Sequence, residues 1–156
     1  MLFGRREIER RAILDALRDR VKLNPRTLER HRRLSADEIK ALGASPLAEI
    51  GAHTATHPKL TALRPAERLE EILGSRQRLE ELTGEAPRGF SYPNGSQSDY
   101  DEETVTLVAE AGFDYACAAH DRAVSADANR FALPRVAVRA WTPNELALRL
   151  ESWLRS

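Results

Sequence analysis

A single cysteine, Cys117, among 156 residues excludes an internal disulfide and any cysteine-rich zinc site. No apolar run approaches the ~20 residues of a transmembrane segment. The start, "MLFGRREIERRAILDALRDR", is charged throughout and lacks the apolar stretch of a secretion signal. By these absences the chain reads as cytoplasmic. Internal repeats and low-complexity runs are absent too. A net charge of zero gives no global bias toward nucleic acid, yet it hides an asymmetry. Residues 1–40 hold twelve Arg or Lys against seven Asp or Glu, so the rest of the chain is acidic. In "RREIERR" and "ALRDR" the bases alternate with acids. That is the pattern of a solvated helix laced with ion pairs, not of a nucleic-acid arm.

What is present describes one globular domain. A 42% hydrophobic and 31% charged composition fits a folded chain, and this length buries roughly 70% of its unfolded surface. Residues 5–21 place Ile8, Ala12, Ala16 and Leu17 on one stripe, which predicts an amphipathic helix. "NPRTLERHRRL" continues as a short helix or turn. "SADEIKALG" carries a capping box, Ser35 with Glu38, and Gly43 ends that helix. "RPAERLEEILGSRQRLEELTG" is the clearest helix, opened by Pro65 and closed by Gly84. "EETVTLVAEAG" and "TPNELALRLESWL" are further helices. Strands are expected at 47–52, 88–92, 113–119 and 135–140. The alternation of strands and helices gives an α/β architecture with parallel strands.

Two of the four histidines, His53 and His57, stand four residues apart in "EIGAHTATHPKL". A shared metal needs both imidazole nitrogens about 2.0–2.1 Å away. Extended backbone would separate them by ~13 Å, so the chain must coil after the strand to bring them within ~5–6 Å. Pro58 biases His57 away from the helical region, which restricts the coil to one tight turn at a strand end. Carboxyl ends of parallel strands are where such folds hold their chemistry. Thr54 occupies the position at which a zinc-protease helix carries its glutamate.

"IGAHTATHPKLTAL" resembles the metal-binding motif of the polysaccharide deacetylases, carbohydrate esterase family 4 (the NodB-homology domain): His, Ser or Thr, two residues, His, usually Pro. "RGFSYPNG" is similar to a second motif of that family, Arg-x-x-x-Tyr-Pro-x-Gly. "LEELTGEAPR", "AGFDYACAA" and "FALPRVAV" follow the family's order, so the resemblance covers roughly residues 35 to 140. It implies a partial, distorted (β/α) barrel with extra amino-terminal helices, residues 1–45 helical and 46–156 forming a partial deacetylase domain. It also implies a hydrolase that removes acetyl groups from N-acetylated polysaccharide or oligosaccharide through a divalent metal, most often zinc.

Carried over by position, His53 and His57 are the metal ligands and Thr54 braces their turn. Tyr92 offers its backbone N–H to the oxyanion, Pro93 and Gly95 shape that loop, and Arg88 orients the catalytic base. Arg135, in "LPRVAV", stands where the family's late Leu-x-His motif would supply the general acid. His120 is expected to be an exposed loop residue. The family's first motif, Thr-Phe-Asp-Asp-Gly, source of the base and third ligand, has no counterpart in residues 1–48. Only robust activity of the chain alone would imply that another carboxylate, Asp99 or Asp101 near the loop, has taken that base's place. The expectation is therefore a carboxyl-terminal portion of a deacetylase, with little activity alone. It would be completed by the missing amino-terminal segment or paired as a homodimer. The competing expectation is a noncatalytic remnant or partner subunit that binds carbohydrate or metal.

Overall fold

The computed structural model describes residues 7–18, 20, 24, 29 and 31–155. Helix α1 (Glu7–Arg18) takes in the expected stripe positions, residues 5, 6, 19 and 21 of that reading lie outside the described residues, and Leu14 and Leu17 of the helix are nearly half exposed. Of the reading of residues 24–34, residues 25–28 and 30 lie outside the described residues, and residues 31–34 are not helical. Helix α2 (Ala36–Gly43) begins at the expected box. The Ser35 N–H donates to Glu38 Oε2 at 2.7 Å, and the Glu38 N–H donates to Ser35 Oγ at 3.3 Å. A 3₁₀ turn (Leu60–Ala62) then leads into helix α3 (Pro65–Thr83). Pro65 opens α3, where its missing N–H is no loss, and Gly84 closes it at φ +83°, a left-handed value that glycine adopts without strain.

Strand β1 (Gly89–Ser91), helix α4 (Glu102–Glu110) and strand β2 (Tyr115–Cys117) form one βαβ unit. The strands are parallel, with Gly89 opposite Tyr115, Phe90 opposite Ala116 and Ser91 opposite Cys117. Single parallel bridges extend the sheet on both sides, Ala52 to Phe90 and Cys117 to Leu133. Four strand positions therefore line up in chain order, a partial open sheet among the described residues. Helix α5 (Pro143–Leu154) follows, capped by Thr142 and Glu145.

Of the four expected strands, one shrinks to a single bridge and one is absent. At 47–52 the apolar letters misled: Ser45–Ala48 turns, Leu47 is 95% exposed, and only Ala52 pairs. At 135–140 no residue pairs, because the bridge to β2 is made by Leu133, and Val138 faces solvent. Both remaining strands are three residues long, against five and seven expected.

The core lies between one face of this sheet and helices α3 and α4. Ala52, Phe90 and Ala116 share it with Ile72 of α3 and Val108 of α4, and with Leu60 and Phe113. Full burial of each large apolar side chain stabilises by roughly 1.5–3 kcal/mol. Arg68 pins the two helices together from a buried position. It donates to Asp101 at 2.8 and 2.9 Å, to Glu103 at 3.2 Å, to Thr104 Oγ1 at 3.1 Å and to the Leu63 carbonyl at 3.0 Å. Alternation along the strands turns Ser91, Tyr115 and Cys117 to the opposite face, which is open. No helix among the described residues is long and apolar enough to cross a membrane.

Candidate metal and substrate site

His53 leaves the sheet one residue after the Ala52 bridge, at the carboxyl end of the strands. Its Nδ1 lies 2.6 Å from the Ser91 carbonyl oxygen. A carbonyl only accepts, so Nδ1 carries the proton and Nε2 keeps a bare lone pair. Burial pushes the His53 imidazole below its ordinary pKa, and neighbouring His57 and Arg135 add to this. The Ser91 bond opposes them without reversing the direction. The ring is thus held neutral, as a metal ligand must be.

The chain then coils. Thr54 and His57 both take left-handed backbone, at φ +63° and +62°. For a β-branched threonine this conformation costs on the order of 1–3 kcal/mol, and surrounding bonds must hold it. Thr54 Oγ1 donates to the His53 carbonyl at 2.6 Å and accepts the His57 N–H at 3.0 Å. Glu71 of α3 holds the turn from outside: its carboxylate accepts from Thr56 N–H at 2.8 Å and Thr56 Oγ1 at 2.6 Å. Its backbone carbonyl accepts the Ala55 N–H at 3.1 Å. The result is two imidazoles with ring centroids 4.8 Å apart, edge to face. The pair suits two of the four positions of a tetrahedral zinc ion. No group of three His, Cys, Asp or Glu capable of holding a metal comes together among the described residues.

Arg135 reaches the same mouth, where its Nη1 donates to Ser91 Oγ at 2.8 Å. It lines a groove with His53, Ser91, Tyr115 and Cys117 on the open sheet face. There Tyr115 lies across Gly89 and donates from its hydroxyl to Glu49 at 3.0 Å. Pro93 is buried, and Gly95 turns the following loop at φ +76°, its carbonyl accepting the Ala119 N–H at 2.8 Å.

Two residues stand elsewhere than their carried-over roles require. Tyr92 is fully buried on the helix side, in phase with Phe90, and its N–H donates to the Cys117 carbonyl at 3.1 Å. That N–H is a rung of the sheet, not a free oxyanion donor. The Tyr92 hydroxyl donates to the Phe131 carbonyl at 2.7 Å, and burial pushes the phenol pKa up. Arg88 lies at the amino end of β1, two residues before Phe90, and pairs with Asp114 at 2.7 Å in an exposed salt bridge. It orients no group at the histidine end.

The substitute carboxylates are also engaged. Asp99 accepts from the Ser96 N–H at 2.9 Å and from the Ser96 hydroxyl, with Lys59 at 3.5 Å. Asp101 caps α4 and pairs with Arg68. His120 is not simply exposed: it is half-buried, with Nε2 2.7 Å from the Tyr100 hydroxyl, and Tyr100 stacks on Tyr92 at 4.2 Å. Sequence reasoning misses Ser91, Glu71 and Tyr100. For Ser91 a signal existed, because period-two alternation sets it opposite Phe90 and Tyr92.

The pattern of the family Polysaccharide deacetylase matches residues 12–116. The chain belongs to the polysaccharide deacetylase family. Solved deacetylase structures share its fold. The Streptococcus pyogenes deacetylase PplD, solved in complex with acetate, is 19% identical with a TM-score of 0.67, over 76% of this chain and 51% of that one. A polysaccharide deacetylase from Bacillus cereus is 24% identical with a TM-score of 0.66, over 77% of this chain and 37% of that one. IcaB from Ammonifex degensii is 26% identical with a TM-score of 0.56, over 78% of this chain and 53% of that one. This chain thus spans about half, or less, of the length of those structures. No curated protein sequence matches.

Proposed function

We propose that this chain carries the dihistidine part of a metal-dependent deacetylase site for N-acetylated sugars. The observation that supports it best is the His53 Nδ1 bond to the Ser91 carbonyl, which frees Nε2 beside His57 on a strained, braced turn. A divalent ion, zinc by the nature of the donors, supplies Lewis acidity for amide hydrolysis when bound. The chain's own residues do the rest. Ser91 fixes the His53 tautomer, Thr54 and Glu71 fix the position of His57, and Arg135 holds a permanent positive charge at the mouth. An arginine does not release its proton near neutrality, so Arg135 acts by charge and hydrogen bonding, not as a general acid.

A second reading, a noncatalytic remnant or partner subunit, draws support from the engaged state of Asp99 and Asp101. Positioned acid–base groups commonly contribute ~10²–10⁴-fold, so their absence leaves little turnover. Titration calorimetry with zinc, run beside acetate release from N-acetylglucosamine oligomers, tests both readings. Zinc uptake lost in the His53→Ala, His57→Ala double variant is expected, with negligible acetate release by the chain alone. Undiminished uptake in that variant refutes the dihistidine site. Robust acetate release refutes the remnant reading.

A further inference from the structure

Beyond the histidine pair, a cleft of about 430 Å³ opens between the loop after β2 and the segment around Arg135, lined by Gln97, His120, Asp121, Arg122 and Arg135. Arg135 lines this cleft as well as the groove of His53, so one side chain borders both. The size is that of a small-molecule site. Its lining mixes apolar and charged groups, and among the latter the two arginines outweigh the one carboxylate. Among the described residues neither arginine has a carboxylate within salt-bridge distance. Asp127 bonds to Ser125 and feels the charge of Arg122 more weakly, which holds its carboxyl below the usual range. Arg122 is set by a tight turn in which its N–H donates to the His120 carbonyl at 2.9 Å, and His120 is itself anchored on Tyr100.

We propose that this cleft selects sugars bearing a carboxylate: with an acetamide at His53 and His57, a neighbouring acidic substituent is received by Arg122 and Arg135. This rests on the deacetylase reading of the histidine pair. Planar guanidinium groups pair with carboxylates through parallel N–H donors, a geometry neutral sugars do not exploit. Gln97 and Asp121 face the same space and accept from ring hydroxyls, so the carboxylate adds to sugar binding and does not replace it.

The test compares N-acetylmuramic acid with N-acetylglucosamine, which lacks the lactyl carboxylate, by calorimetry on the full chain with zinc present. Lactate alone serves as a third probe. The acid sugar is expected to bind about tenfold more tightly, as one charge-assisted contact gives, and the preference should shrink toward molar salt. Arg122→Gln should remove the preference. Equal affinities for the two sugars, or a preference that survives Arg122→Gln, overturn the inference. Lactate binding as tightly as the acid sugar overturns it too, since the cleft would then be a plain anion site. If zinc binds the histidines while the sugars bind equally, only this inference fails. If neither sugar binds at all, the deacetylase reading fails with it.

Discussion

Replacing Glu71 by alanine should loosen the histidine turn from a distance of fifteen residues. Two hydrogen bonds to the Glu71 carboxylate disappear, from Thr56 N–H at 2.8 Å and Thr56 Oγ1 at 2.6 Å, while the backbone bond from Ala55 survives. Charge-assisted bonds contribute roughly 1.5–3 kcal/mol each when shielded, but Thr56 is exposed, so about 1 kcal/mol each is appropriate. Against that loss, the left-handed Thr54 and His57 relax once the turn is no longer held, returning part of their strain. The net is about 1–2 kcal/mol of destabilisation, a Tm lower by roughly 3–6 °C for a chain of this size. Zinc affinity should fall further, by about 10–100-fold, because outer partners that orient ligands act on the metal through them. Glu71→Gln retains one acceptor oxygen and should lie between parent and alanine variant. Urea denaturation gives the stability, calorimetry the zinc affinity, and imidazole proton shifts report the two rings directly. An alanine variant with parental Tm and unmoved His53 and His57 resonances would refute the claim that α3 holds the turn.

Gly95→Ala places a Cβ 2.9 Å from the Ala119 backbone nitrogen at φ +76°. A loss of about 2–4 kcal/mol is expected, with disorder of the 92–96 loop visible in amide exchange. Arg68→Met removes the buried clamp on Asp101, Glu103 and Thr104. About 2–3 kcal/mol should be lost, less than for a fully buried pair because the Asp101 side chain is 43% exposed. Acid should weaken the parent through the same aspartates. Burial pushes Asp99 and Asp101 up, but the Ser96 bonds on one and the Thr104 and Arg68 bonds on the other outweigh it, so both pKa values lie below the usual carboxylate range. Unfolded aspartate titrates near ~3.9 and takes up its proton first as pH falls, so this stabilisation is complete above ~4 and fades below it. Urea midpoints compared at neutral and at acid pH should fall less steeply for Arg68→Met than for the parent. Parallel slopes would contradict that assignment.

Features governed by neighbours in sequence were legible. The Ser35–Glu38 and Thr142–Glu145 boxes, the Pro65 start and the Gly84 stop are local physics, and each helix begins where its cap stands. The close approach of His53 and His57 also followed from four-residue spacing before a proline. Strand extent did not, because pairing depends on a partner far along the chain. "PLAEIGA" has the composition of a strand, yet only Ala52 finds one. The supports of the site were hidden for the same reason: Ser91 meets His53 across 38 residues and Tyr100 meets His120 across 20. Tyr92 and Arg88 show the limit of a motif, which names residues without saying which way a strand turns them or at which end they lie.

Tyr115 lies so close over Gly89 that a Cβ there would come within 2.6 Å of its ring, while a Cβ on Gly51 would come within 3.1 Å of the Gly89 carbonyl. Drift at these three positions is therefore ordered. The obstacle at residue 89 is the far end of a side chain, and that at residue 51 is backbone. A lineage that trades Tyr115 for a small residue frees position 89 at once, at the expense of the tie to Glu49. Position 51 accepts a side chain only where the Gly89 carbonyl gives way by a few tenths of an ångström. Among descendants of this chain, side chains at 89 should appear only after the aromatic at 115 is gone.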